Sequence, residues 1–120
     1  MNASIGIDIV EFESIKDKLT KAFIHRVLSE EEQAIFYKIK HKQRKIEFIA
    51  GRFAAKEAYT KCYETFDRPL NFNQVSILNK NSGAPYIKSD YRPEDCLKIS
   101  ISHSKHYVVA VVWKADDAHA

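Results

Sequence analysis

Cysteine, glycine and proline are scarce in this 120-residue chain: two, three and three. The cysteines, Cys62 and Cys96, show no metal-ligand spacing, and a reduced cytoplasmic setting is the simplest reading. No Gly-x-Ser-x-Gly elbow is present, and no ordered acid partner for a histidine can be read, so a nucleophilic serine is not favoured. No uninterrupted apolar run approaches membrane-spanning length. No basic stretch followed by an apolar one opens the chain, so no signal peptide is expected. Repeats, low-complexity tracts and interdomain linkers are also missing. What is present suits one soluble domain, residues 1–120, with a modest core. Its 45% hydrophobic and 29% charged content are ordinary for a globular protein and exclude a disordered or fibrous class.

The formal net charge of +3 is mild but unevenly spread. Lys38, Lys40, His41, Lys42, Arg44 and Lys45 crowd one short segment. Acids gather at Glu30, Glu31 and Glu32, and again at Asp116 and Asp117. The basic segment is either a solvated linker between helices or a surface for an anionic ligand or partner.

Residues 4–12 read as a strand, with Ile5, Ile7 and Ile9 on one face and Gly6, Asp8 and Val10 on the other. The strand is apolar enough to expect partial burial of both faces. Residues 13–28 read as mostly helical. Ser29 followed by Glu32 fits a capping box and starts a second helix, to about Lys38. A long helix spans roughly 43–63, broken by Asp67-Arg68-Pro69. The C-terminal half changes period. Val75–Leu78 is a short strand, Asn81–Pro85 a turn and Tyr86–Lys88 a weak strand. Leu97, Ile99 and Ile101 alternate with polar residues, and the nearly all-apolar Tyr107–Trp113 reads as a central strand. Ser102–His106 joins the last two as a hairpin. Strand, helices, then strands predict an α+β fold.

The long helix places a carboxylate where an apolar residue belongs. Ile46, Ile49, Ala50 and Phe53 follow the spacing of a buried stripe, and the next turns bring Glu57 and Lys61. A carboxylate taken from water without partners costs several kcal/mol. A Lys61 pair at i, i+4 recovers only about 0.2–0.5 kcal/mol. Glu57 therefore reaches solvent or is held by something stronger, and a divalent metal is one such partner. Asp8 poses the same question, since Asp is depleted inside strands. Gly6, on the same face, leaves room for a close ligand. Together Asp8 and Glu57 would offer hard oxygen ligands to Mg2+, whose sites often use one or two carboxylates completed by water and phosphates.

Lys45, Arg52 and Lys56 fall on one helix face beside that stripe, either as a solvated face or as cations for a pyrophosphate. Phe48, Ala55, Tyr59 and Cys62 form a further apolar stripe that reads as core. His103, in Ser100-Ile101-Ser102-His103-Ser104-Lys105-His106, is either structural or part of a phosphate-binding hairpin. His103 and His106 lack a third zinc ligand.

Three segments, in this order and in a chain this short, resemble the small bacterial holo-(acyl-carrier-protein) synthase type of 4'-phosphopantetheinyl transferase. They are Ile5-Gly6-Ile7-Asp8-Ile9, Phe53-Ala54-Ala55-Lys56-Glu57-Ala58 with Lys61, and Ser100-Ile101-Ser102-His103. The resemblance runs from residue 5 to about 113, and the middle motif is the most specific. It implies an antiparallel sheet packed with helices in the phosphopantetheinyl transferase fold. It also implies transfer of phosphopantetheine from coenzyme A to a serine of apo acyl carrier protein, releasing adenosine 3',5'-bisphosphate, in fatty acid biosynthesis. By similarity, Asp8 and Glu57 hold Mg2+, Glu57 or a water takes the serine proton, and Lys61 meets the leaving phosphate. Arg52, His103, Ser104 and the basic segment with Arg44 and Lys45 hold the nucleotide end of coenzyme A. The family also implies a cytoplasmic homotrimer with sites between subunits, and no nucleic-acid or membrane partner.

Two departures stand out. Cys62–Pro69 has no glycine where the family has a glycine-rich stretch, and Ser14 stands where the family often has a basic residue. Lys16, Lys18, Lys21 and Arg26 remain on residues 14–28, the segment expected to meet an acidic carrier protein. The rival classes are a nucleic-acid-binding module using Lys38–Lys45, which gives Asp8 and Glu57 no role, and a carrier-protein binder without activity.

Overall fold

A computed structural model describes residues 3–63, 70–93 and 95–115. The helix-breaking Asp67-Arg68-Pro69, most of the glycine-free segment, and Asp116 and Asp117 lie outside them. The element order is β1 (Ala3–Glu11), α1 (Phe12–Lys16), α2 (Lys21–Val27), α3 (Glu30–Phe36), α4 (Lys42–Lys61), a 3-10 turn (Phe72–Gln74), β2 (Val75–Asn79), β3 (Pro85–Ser89), β4 (Cys96–His103) and β5 (Tyr107–Ala115). The expected α+β class holds. The strands form two antiparallel sheets, β1-β5-β4 and β2-β3. Tyr107–Ala115 is central, as its apolar run predicts, paired with β1 on one side and β4 on the other.

Residues 13–28 are two helices, not one. Thr20 leaves helical geometry and caps α2, its Oγ1 accepting from Phe23 N at 3.2 Å. Such a cap satisfies an otherwise orphaned donor and so starts a new helix. The capping box at α3 is present: Glu32 N donates to Ser29 Oγ and Ser29 N to Glu32 Oε1.

Helix α4 covers the inner face of the three-stranded sheet, with Ile49, Ala50, Ala54, Ala55 and Ala58 fully buried. Its small residues permit close approach. A Cβ at Gly6 would lie 1.9 Å from the Ala58 carbonyl oxygen. The room expected at Gly6 for a ligand is thus taken by helix backbone. Asp8 shares this inner face. The expectation that both faces of β1 are partly buried fails in the single chain, where Ile5, Ile7 and Ile9 are 65%, 56% and 64% exposed.

Candidate active site

The inward face of β1 and the last turns of α4 bring Asp8, Glu57 and Lys61 together. Asp8 sits mid-strand opposite Ala110, its side chain 19% exposed. Lys61 Nζ donates to the Ile7 carbonyl at 3.0 Å and to Asp8 Oδ1 at 3.3 Å. The lysine therefore crosses from helix to strand and holds Asp8, whereas the sequence paired it with Glu57. Glu57 is half-buried. Burial raises its pKa above the ordinary carboxylate range, the charge of Asp8 raises it further, and Lys61 partly opposes both. Two carboxylates thus repel each other beside one ammonium group.

Glu57 and Phe53 line two grooves. One, about 470 Å³, also contains Asp8, Glu11, Ser14 and Lys18. The other, about 360 Å³, runs between α2 and the 3-10 turn past Phe23, Arg26 and Phe72. Ser14, at the position where the resemblance implies a basic residue, donates its hydroxyl to the Glu11 carbonyl at 2.8 Å.

The remaining site candidates lie elsewhere on the same chain. Arg52 donates to the Ile77 carbonyl at 3.2 Å and to Asn79 Oδ1 at 2.8 Å, and its guanidinium stacks 4.0 Å from the Phe48 ring centre. Burial lowers its pKa, with Glu32 acting in the opposite direction. Lys45 Nζ lies 4.6 Å from the Phe36 ring centre. Arg44 is exposed near the start of α4, roughly 20 Å along the helix axis from Glu57 at 1.5 Å per residue. His103 ends β4 opposite Val108, while Asp8 is two strands away, level with Ala110 and Ile101. Two strand spacings and two residues separate them by roughly 12 Å. Between them α4 crosses the sheet, with Gly51 over Ile101 and Val108. Ser104 closes the expected hairpin, its N–H donating to the Tyr107 carbonyl at 2.9 Å.

Lys56 departs most from its sequence reading. It is fully buried, not on a basic face with Lys45 and Arg52. Its ammonium donates to Glu32 Oε1, to the Val27 carbonyl at 2.7 Å and to the Phe72 carbonyl at 2.8 Å. Glu32 in turn accepts from Ile77 N at 2.7 Å. Burial lowers the Lys56 pKa, opposed chiefly by Glu32. A buried ion pair tolerates its desolvation when further hydrogen bonds complete both partners, as here. A signal was available: Lys56 follows Ile49 by seven and Phe53 by three, on the apolar stripe.

Among the described residues no group of three or more His, Cys, Asp or Glu gathers as a metal site. Asp8 and Glu57 alone fit an ion that takes most of its ligands from water and substrate. Both present hard oxygens, they repel each other, and open space adjoins them.

The family model described as the 4'-phosphopantetheinyl transferase superfamily matches residues 4–112. The chain is 46% identical over 116 residues to the holo-[acyl-carrier-protein] synthase of Geobacillus sp. (strain WCH70), covering 93% of this chain and 95% of that one. It is 39% identical over 109 residues to the same enzyme of Acholeplasma laidlawii, covering 91% and 92%. The crystal structure of a holo-(acyl-carrier-protein) synthase from Bacillus anthracis in complex with CoA (3',5'-ADP) superposes with a TM-score of 0.83 at 38% identity, covering 92% and 94%. A Helicobacter pylori holo-[acyl-carrier-protein] synthase in complex with coenzyme A gives 0.75 at 30% identity, covering 92% and 99%.

Proposed function

The chain belongs to the 4'-phosphopantetheinyl transferase superfamily, and from that premise we propose the way in which it works. It transfers 4'-phosphopantetheine from coenzyme A to apo acyl carrier protein. In this reading Asp8 and Glu57 would hold Mg2+. The carrying observation is that the two carboxylates, one from β1 and one from α4, line the same groove, with Lys61 bound to Asp8.

When bound there, the ion would neutralise charge on the phosphoryl group under attack. The chain's own groups supply the rest. The serine hydroxyl of the carrier attacks the phosphorus bearing pantetheine, and its proton passes to Glu57 directly or through a water. The bond to the nucleotide phosphate breaks, and adenosine 3',5'-bisphosphate leaves. Lys61, held at Asp8, offers its ammonium to the leaving phosphate. The direct test is mass spectrometry of apo carrier protein incubated with this chain, coenzyme A and Mg2+. A mass gain of one phosphopantetheine is expected, dependent on the metal. No gain would end this reading, and binding without gain would favour the inactive binder.

Coenzyme A is longer than the acid site, and the cations assigned to its nucleotide end stand apart from Asp8 in one chain. A neighbouring subunit would bring Arg44, Lys45, Arg52, His103 and Ser104 to it. The exposed face of β1 supports a homotrimer. Ile5, Ile7 and Ile9 lie in register with Trp113, Val111 and Val109 of β5, a continuous apolar surface. Ile7→Lys is expected to shift the sedimenting species from three chains to one and to lower transfer with it. A trimer that survived the charge would place the interface elsewhere. Arg52→Ala and His103→Ala should raise the KM for coenzyme A about tenfold, and the KM for carrier protein far less, since charged hydrogen bonds to phosphate are lost. Calorimetric titration with coenzyme A checks this, and unchanged affinity in both variants would move the nucleotide elsewhere. The free thiols of Cys62 and Cys96 suit a reducing cytoplasm.

A further inference from the structure

We propose that Lys56 is a positioning residue for the carrier protein, fixing the two walls of the groove that opens at Glu57. The assignment rests on the transfer reading above and adds a residue that touches no reactant. The groove has α4 as its floor, with Phe53 and Glu57. One wall is α2, with Phe23, Arg26 and Val27; the other is the segment Leu70–Asn73. Lys56 sends one N–H to each wall, to the Val27 carbonyl and the Phe72 carbonyl. The third goes to Glu32, which also anchors β2 through Ile77 N.

The separation of the walls is therefore set by one buried ammonium. Its stem comes from the residue before Glu57. The contacts are well chosen for rigidity. Val27 ends α2, and a cation on a terminal helix carbonyl is favourable. Phe72 opens the 3-10 turn and also accepts from Val75 N. Among the described residues, the other hydrogen bond between the walls joins Asn73 to the His25 carbonyl at 3.4 Å, on exposed ground.

The groove suits a protein helix better than coenzyme A. Among the described residues its lining holds three phenylalanines, the Glu57 carboxylate at one end and one cation, Arg26, which lies over Phe23. That combination fits the apolar face of an acidic amphipathic helix, and it offers little to a chain of phosphates. A helix seated there would present its serine beside Glu57. Wall spacing then governs how the carrier docks, while the Asp8 side of Glu57 is untouched.

The test separates wall spacing from stability. Lys56→Met combined with Glu32→Gln removes the ammonium without leaving a buried carboxylate unpaired. This double variant is expected to fold, to raise the KM for apo carrier protein about tenfold, and to leave kcat and the KM for coenzyme A within about twofold, because two charged hydrogen bonds are lost. Glu32→Gln alone should lower the melting temperature while keeping Lys56 on both walls and the carrier KM near wild type. A wild-type carrier KM in the double variant would overturn the assignment. So would an equal rise in Glu32→Gln, since KM would then merely follow stability. Should the double variant not fold, hydrogen exchange on the wild-type chain decides. Apo carrier protein should slow exchange in residues 23–28 and 70–75, and unchanged exchange there would overturn the proposal. No product from the wild-type chain would remove the transfer reading itself. Product with an unmoved carrier KM would remove the Lys56 assignment alone.

Discussion

Asp8→Asn and Glu57→Gln are each expected to lower transfer at limiting Mg2+ about a hundredfold or more while the chain stays folded. A metal that neutralises a phosphoryl group supplies several kcal/mol to the transition state, and each 1.4 kcal/mol is about tenfold in rate. Removing either carboxylate would leave a bound ion one protein carboxylate, with water and substrate as its other ligands. Stability should move the other way in the metal-free protein. Burial and the Asp8 charge raise the Glu57 pKa in the folded chain above its unfolded value. A group with a raised folded pKa contributes stability that is present below the unfolded pKa and is lost as pH rises through the folded one. Glu57→Gln removes that loss. Its melting temperature in chelator should therefore match wild type at low pH and exceed it once pH passes the ordinary carboxylate range. Asp8→Asn loses a partly exposed pair with Lys61, worth about 1 kcal/mol, and relieves Glu57 at the same time. Kinetics over a Mg2+ series, with thermal melts across pH, check both halves. Near wild-type turnover in either variant at limiting Mg2+ would remove the metal from these residues.

The acid pair was legible because it breaks a local rule. A carboxylate on a helical apolar stripe, and another inside an Ile-rich strand, stand out from periodicity alone. The capping box, the hairpin and the central strand were legible for the same reason, since each is set by residues a few positions apart. What escaped depends on partners far along the chain. Spacing alone places Lys56 on a basic face with Lys45 and Arg52, because its carboxylate, Glu32, is twenty-four residues away and belongs by pattern to the start of another helix. Glu32 serves both roles, and only the cap shows in sequence. Lys61 was matched to its helical neighbour Glu57, yet the strand offers Asp8 and a carbonyl together. The division into two sheets also follows from non-local pairing, which strand patterns leave undetermined. Thr20 is the exception. Its cap is local, but the flanking residues continue a helical composition that hides the break.

Gly6→Ala should be more destabilising than a methyl added at Gly51, and it should disable the site as well. The new Cβ would lie 1.9 Å from the Ala58 oxygen, 2.9 Å from the Ala58 carbonyl carbon and 3.1 Å from Cys62 N. All three are backbone atoms of α4 or its cap, so no side chain can rotate away. Strand and helix must separate by an ångström or more, on the order of the overlap between a methyl group and an oxygen. That gap would open along the most buried face of the core, where Ala54, Ala55 and Ala58 have no exposure. Overpacking a tight core costs about 1–3 kcal/mol when side chains can adjust, and more when backbone must move. At the upper end this lowers the melting temperature of a domain of this size by about 10 °C or more. The functional loss has the same origin. Asp8 is carried by β1, Glu57 and Lys61 by α4, and at Gly6 the two backbones leave no room for a methyl group. Forcing them apart lengthens the Lys61 to Asp8 contact, already 3.3 Å, and spreads the carboxylates. Thermal denaturation and transfer kinetics on the surviving folded fraction measure both effects. A melting temperature within a degree or two of wild type would mean that β1 and α4 are not as close as described.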